Sequence, residues 1–246
     1  MQGKLKIGGI VDSSTVDYIG KLCAVVYLCG CPFRCGWCQN KELVLERNCS
    51  IVDIEDIINF LNENFVIDAV CVTGGEPLMQ KNVIELLRRM RNETELLIKI
   101  DTNLYFPDRL KTALKFLDFV SVDVKSPLDR RYDKLVGINC NIDRIQESLE
   151  ILKKWKMPKE ARTTIVPNLV DSNDIRDIAK IVRNVEFDYY TLQQFRPSNT
   201  LDEKFEELET LKREDMIKLG RIAKKFLPKT RVRIVTQENG FEEIEF

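Results

Sequence analysis

A chain of 246 residues, 44% of them hydrophobic, suffices for one large α/β domain or two small ones. A formal net charge of -1, with signs mixed along the chain, excludes the basic footprint of a nucleic-acid binder and an anionic-membrane patch, leaving a protein or small molecule as substrate. No apolar run is long enough to cross a bilayer and residues 1–9 lack a signal peptide's apolar stretch, so a cytoplasmic protein without a membrane partner is expected, its eight cysteines metal ligands or reduced thiols rather than disulfides.

In chain order, residues 8–21 are rich in turn formers and read as a loop or loose hairpin, the end of a lead-in over 1–21. Residues 22–29 are a continuous apolar run, as in a strand buried on both faces of a parallel sheet. In 52–62 the residues Ile54, Ile57, Ile58 and Leu61 recur at helical spacing behind Asp53, a candidate N-cap. Strands at 69–73, 97–100, 119–124, 163–166 and 189–193 then alternate with helices at 83–90, 109–117, 142–155, 173–185 and 213–226. Such alternation predicts an α/β fold of parallel units with right-handed crossovers. Residues 231–237 add a C-terminal edge strand, and with no visible boundary the whole of 1–246 reads as one domain.

Chemistry concentrates after the first strand, in Cys31-Pro-Phe-Arg-Cys35-Gly-Trp-Cys38. Three thiols spaced by three and then two residues can converge on one inorganic centre, and thiolates are the ligands that iron-sulfur clusters take. A cubane held by three cysteines keeps one iron without a protein ligand, open to a second molecule. Half a zinc site and apolar packing are the other readings; zinc is disfavoured because the chain has no histidine and no second Cys-x2-Cys pair. Cys23, Cys29, Cys49, Cys71 and Cys140 form no second cassette and read as apolar packing, with Cys29 nearest the cluster.

Three more elements fall at predicted strand ends, where α/β folds carry their chemistry. Gly74-Gly75-Glu76-Pro77 follows the second strand, with glycines that let backbone approach a ligand and a proline that stiffens the exit. Asp101-Thr102-Asn103 ends the third strand and Asp123-Val124-Lys125 the fourth. Ordinary turn and strand-end capping is the bland alternative for each.

The cassette, with Trp37 before its third cysteine, resembles the cluster motif of radical S-adenosylmethionine (SAM) enzymes. That resemblance implies a partial (β/α)6 barrel of parallel strands, a [4Fe-4S] cluster on Cys31, Cys35 and Cys38, and SAM on the open iron. It places Gly74, Gly75, Glu76 and Pro77 at SAM's amino group and Trp37 and Gln39 beside the cofactor. The motifs at 101–103 and 123–125 are similar to those of glycyl-radical-enzyme activating enzymes. There Lys125 would meet the SAM carboxylate, Asp101, Thr102 and Asp123 would surround a monovalent cation or offer polar contacts beside it, and Asn103 and Val124 would belong to the cofactor site. Ser14 to Gly20, Leu135 to Gly137 and Arg162 to Pro167 extend the likeness, whose nearest form is the anaerobic ribonucleotide reductase activating type, related to pyruvate formate-lyase activase.

The family implication is reductive SAM cleavage, driven by a low-potential donor such as ferredoxin or flavodoxin, and hydrogen abstraction from a glycine of a glycyl-radical enzyme, here an anaerobic ribonucleotide reductase. Many activases carry histidine after the third cysteine and at the end of the sixth strand; this chain has Gln39 and Gln194 there, so amide or backbone groups would meet the ribose. A small-molecule radical SAM enzyme, similar to 7-carboxy-7-deazaguanine synthase, and a metal-binding protein without catalysis are the alternatives.

Overall fold

A computed structural model describes residues 3–245. Two compact units divide the chain, the first holding the residues up to Pro32 and Asn40–Ser121, the second Phe33–Gln39 and everything from Val122.

In the first unit the strands β1 (Lys4–Ser14), β2 (Cys23–Leu28), β3 (Ser50–Asp53), β4 (Ala69–Gly74) and β5 (Leu97–Thr102) stand in the order β5-β4-β2-β1-β3. β2, β4 and β5 are parallel, whereas β1 runs antiparallel to both β2 and β3. β2 lacks alternation because successive residues from Cys23 to Val26 are all enclosed, as in a strand covered on both faces. Its helices are α1 (Lys41–Val44), α2 (Ile54–Glu63), α3 (Val83–Glu93) and α4 (Pro107–Ala113). Ile54, Ile57, Ile58 and Leu61 of α2 form the buried stripe expected from their spacing, each side chain contributing about 1.5–3 kcal/mol of burial at most. Asp53 does precede α2, but its carboxylate pairs with Lys4 at 3.2 Å instead of capping the helix.

Of the expected loop or loose hairpin, the hairpin forms, β1 pairing antiparallel with β2 and Ser14 standing opposite Cys23. Leu5 and Ile7 point inward between exposed Lys4 and half-buried Lys6, which is strand alternation, and the ladder is interrupted beyond Ile7, where Gly9 takes φ 154°. The pair of glycines hides this strand in the sequence.

β6 (Phe119–Asp123) carries the chain from the first unit to the second. In the second unit, β7 (Lys159–Ile165), β8 (Tyr189–Gln194) and β9 (Arg231–Thr236) are parallel, and β10 (Gly240–Glu243) closes the order β10-β9-β8-β7 antiparallel to β9. The expected edge strand thus lies inside, with β10 outside it. β7 starts four residues before its expected start because Glu160 is buried against the Arg233 guanidinium and the Thr191 hydroxyl, each at 2.5 Å. Helices α5 (Arg131–Val136), α6 (Ile142–Lys154), α7 (Ser172–Val185) and α8 (Arg213–Phe226) complete the unit. α7 begins with a capping box, Asp171 accepting from the Asp174 N–H while the Asp174 side chain accepts from that of Asp171. No described helix is long and apolar enough to cross a membrane.

Candidate functional site

The cysteine cassette runs from the first unit into the second, Cys31 belonging to the former and Cys35 and Cys38 to the latter. All three thiols are free of disulfides. Cys29 and Cys49 are not, since they are bonded to each other, which corrects the expectation of packing thiols. The reason is the register. Ile7 of β1 pairs with Leu28 on one side and with Ser50 on the other, which carries the neighbouring cysteines to either flank of Gly8. Their Cα atoms stand 6.5 Å apart, within disulfide reach, and a Cβ on Gly8 would lie 3.7 Å from Cys29 Sγ. The bond closes a loop of chain that contains Cys31, Cys35 and Cys38.

In the first unit the glycine motif is fastened to the residues just before Cys31. The Gly75 N–H donates to the Leu28 carbonyl at 2.9 Å and the Glu76 N–H to that of Gly30 at 2.8 Å. Neither glycine tolerates a side chain: a Cβ on Gly74, whose φ is 128°, would meet the Leu28 carbonyl oxygen at 2.1 Å, and one on Gly75 the Gly30 oxygen at 2.3 Å. Asn40 Nδ2 donates to the Gly74 carbonyl at 3.2 Å. Pro77 opens a 3-10 turn, Pro77–Met79, capped by the Glu76 side chain.

Glu76 was expected at the SAM amino group, yet it is fully enclosed. Its carboxylate accepts from the Leu78 N–H at 3.0 Å, the Thr102 hydroxyl at 2.8 Å and the Asn103 N–H at 2.6 Å, binding the turn to the end of β5. The Asn103 amide in turn donates to Cys31 Sγ at 3.6 Å. Asp101 faces Lys99, whose ammonium stands 2.8 Å from its carboxylate and also donates to the Asp17 carbonyl. A lysine inside the apolar run of β5 was the sequence signal for this pair, and it was missed.

In the second unit Cys35 is buried and Cys38 half-buried, with the Cys38 N–H donating to the Cys35 carbonyl at 3.0 Å. Burial pushes the Cys35 thiol up to about 11, against the pull of Lys125. The Lys125 ammonium lies 4.9 Å from the centre of the Trp37 ring and 3.2 Å from Asp123, which also meets Arg162 at 3.1 Å. Burial opposes the charge on Lys125, but Asp123 and the neighbouring thiols hold its protonation above the ordinary lysine range. Val124 contributes backbone, its N–H donating to the Arg162 carbonyl and its own carbonyl accepting from Thr163.

Two glutamines, Gln39 and Gln194, bond to backbone. Gln39 Nε2 donates to the Arg196 and Ser198 carbonyls, and the Asn199 amide returns a bond to the Gln39 carbonyl. Gln194 donates to the Leu211 carbonyl at 2.7 Å and accepts from the Gln237 N–H at 2.7 Å. Segment 196–208 thereby straps the cassette, with the Asp202 N–H on the Gly36 carbonyl at 2.8 Å.

A model of the radical SAM superfamily matches residues 25–185. The chain belongs to the radical SAM superfamily. A protein of Methanocaldococcus jannaschii, provisionally named a glycyl-radical enzyme activating enzyme, is 36% identical over 98% of this chain and 100% of its own length. SuiB of Streptococcus suis, solved with its precursor peptide SuiA, shares the fold with a TM-score of 0.65 at 13% identity, covering 83% of this chain and 45% of SuiB. A domain of a pyruvate-formate lyase-activating enzyme from Bacteroides vulgatus shares it with a TM-score of 0.56 at 15% identity, over 68% of this chain and 99% of that domain. The fold is therefore the α/β, parallel-stranded fold of radical SAM enzymes, and the family implies a [4Fe-4S] cluster and SAM.

The residues fit that pair of cofactors. Among the described residues no three of His, Cys, Asp or Glu stand as ligands to a single metal ion do. The donor set is instead three thiols, Cys31, Cys35 and Cys38, outside any disulfide. Beside Cys38, the Trp37 indole N–H is buried without a hydrogen-bond partner among the described residues. An enclosed N–H of this kind suits a bound group that accepts a hydrogen bond.

Proposed function

We propose that this radical SAM enzyme is a glycyl-radical-enzyme activating enzyme. The observation that carries the reading is the end-to-end likeness, at 36% identity, to a protein provisionally named for that activity. In it Cys31, Cys35 and Cys38 hold the cluster, and Gly74 and Gly75 bring bare backbone to SAM, with Pro77 fixing the turn. Lys125, charged at all ordinary pH, faces SAM's carboxylate, with Trp37 alongside. Glu76, Thr102 and Asn103 position these groups, whereas Gln39 and Gln194 hold backbone in place.

Bound by these residues, the cluster and SAM would supply one-electron reductive cleavage of a carbon-sulfur bond, with methionine as leaving group, and the abstraction of one hydrogen atom from the substrate. The substrate is a glycine of a partner glycyl-radical enzyme, by the sequence resemblance an anaerobic ribonucleotide reductase, and the electron comes from a ferredoxin or flavodoxin. This chain's residues need no acid or base for the abstraction; they bind, orient and exclude competing reactions.

The test is electron paramagnetic resonance on reconstituted, reduced protein with SAM and the candidate reductase. A SAM-dependent glycine-centred doublet in the partner is the expected result. Accumulation of 5′-deoxyadenosine without that doublet would discard the substrate and keep the superfamily.

A further inference from the structure

We propose that the Tyr132 hydroxyl donates a hydrogen bond to the sulfur shell of the cluster on the Cys35 side and so raises the cluster's reduction potential. The inference rests on Cys35 being a ligand. Tyr132 is fully buried and its hydroxyl has no hydrogen-bond partner among the described residues. A buried tyrosine normally finds a partner, and leaving such a group unsatisfied is destabilising. A short helix with one large polar tip turned into the interior therefore calls for a reason.

The helix is α5, and it abuts the cassette. The Arg34 N–H donates to the Val136 carbonyl at 2.7 Å. Gly137 follows in the left-handed conformation, φ 68°, so close that a Cβ there would stand 2.2 Å from the Arg34 carbonyl oxygen. Tyr132 lies one turn before Val136 and shares its side of the helix. The groups acting on the phenol agree with that placement: burial raises it most, Lys125 opposes, and Cys140, Cys35 and Asp123 add to the rise. The same Lys125 and Cys35 define this half of the site.

Reduction adds negative charge to the cluster, so a hydrogen-bond donor at its sulfurs stabilises the reduced form more than the oxidised one. Tyr132 makes no covalent bond and passes no electron; it is a positioning and tuning residue. Nothing in the sequence marks it, since one aromatic in a helix reads as core.

The experiment compares parent and Tyr132→Phe full-length protein, reconstituted to matching iron and sulfide content, by potentiometric titration of the reduced-cluster resonance signal. The expected result is a shift of the variant to lower potential. Thermal melting of the two cluster-free proteins is the second measurement, and there the variant melts at the same temperature or higher, because the removed hydroxyl bonds to no described residue. An unchanged potential at full loading overturns the inference, as does a lowered melting point, which would give the hydroxyl a protein partner. If the parent assembles no cluster, the Cys35 assignment falls and this inference with it. Neither readout uses a partner enzyme, so failure of the activase reading leaves the result standing.

Discussion

Glu76 and Asn103 are joined across the first unit, the Asn103 backbone N–H donating to the Glu76 carboxylate at 2.6 Å while the Asn103 side chain reaches Cys31. The acidic residue of the glycine motif thus reaches Cys31 through one intermediary. Glu76→Gln turns one acceptor oxygen into a donor that faces N–H groups. The expected cost is about 1–3 kcal/mol of stability. Chemical denaturation measures it, and iron content should fall along with stability; a variant as stable as the parent would break the link.

The Cys29–Cys49 bond closes a loop that contains the cassette, with a separation of 20 residues. In the chain-entropy account such a loop contributes about 3 kcal/mol by restricting the unfolded chain. Urea unfolding of the cluster-free protein is expected to shift to lower denaturant when a phosphine reductant is present. Cys49→Ser should show the low midpoint with or without reductant, and a reductant-sensitive Cys49→Ser variant would assign the effect to another cause.

Gly36 sits under Phe205, and a Cβ there would approach the ring edge at 2.5 Å. Overpacking of this kind costs about 1–3 kcal/mol. Gly36→Ala is therefore expected to loosen segment 196–208 and raise its susceptibility to proteolysis. Adding Phe205→Ala should restore part of the loss. Limited proteolysis of the parent, both single variants and the double variant decides it, and additive damage in the double variant would rule out the contact.

Lys99 and Asp101 are both buried, with the ion pair at 2.8 Å. A monovalent cation was expected beside Asp101 and Asp123, but the Asp101 carboxylate already has an ammonium. SAM cleavage should accordingly be insensitive to exchange of potassium for a bulky organic cation at constant ionic strength. Lys99→Met leaves a buried carboxylate uncompensated, at a cost of about 3–5 kcal/mol. A strong potassium dependence in the parent protein would contradict this reading.

The sequence by itself determined the class of fold and the superfamily. Alternation of apolar runs with helical spacing is local, and from 69–73 to 213–226 nearly every expected element formed, within a few residues of its bounds. The cassette is also local, because its three thiols fall within eight consecutive residues. The tertiary structure decided which polar groups are used up. Glu76, Gln39 and Gln194 look alike in a sequence as cofactor contacts, yet each bonds to backbone in its own unit, a matter of which carbonyls and N–H groups the fold brings within 3.5 Å. The disulfide belongs to the same class: Cys29 and Cys49 meet only because β1 pairs with both flanking strands at Ile7. Local spacing fixes periodicity and ligand geometry, whereas pairing between distant residues depends on strand register, which no single stretch of this chain encodes.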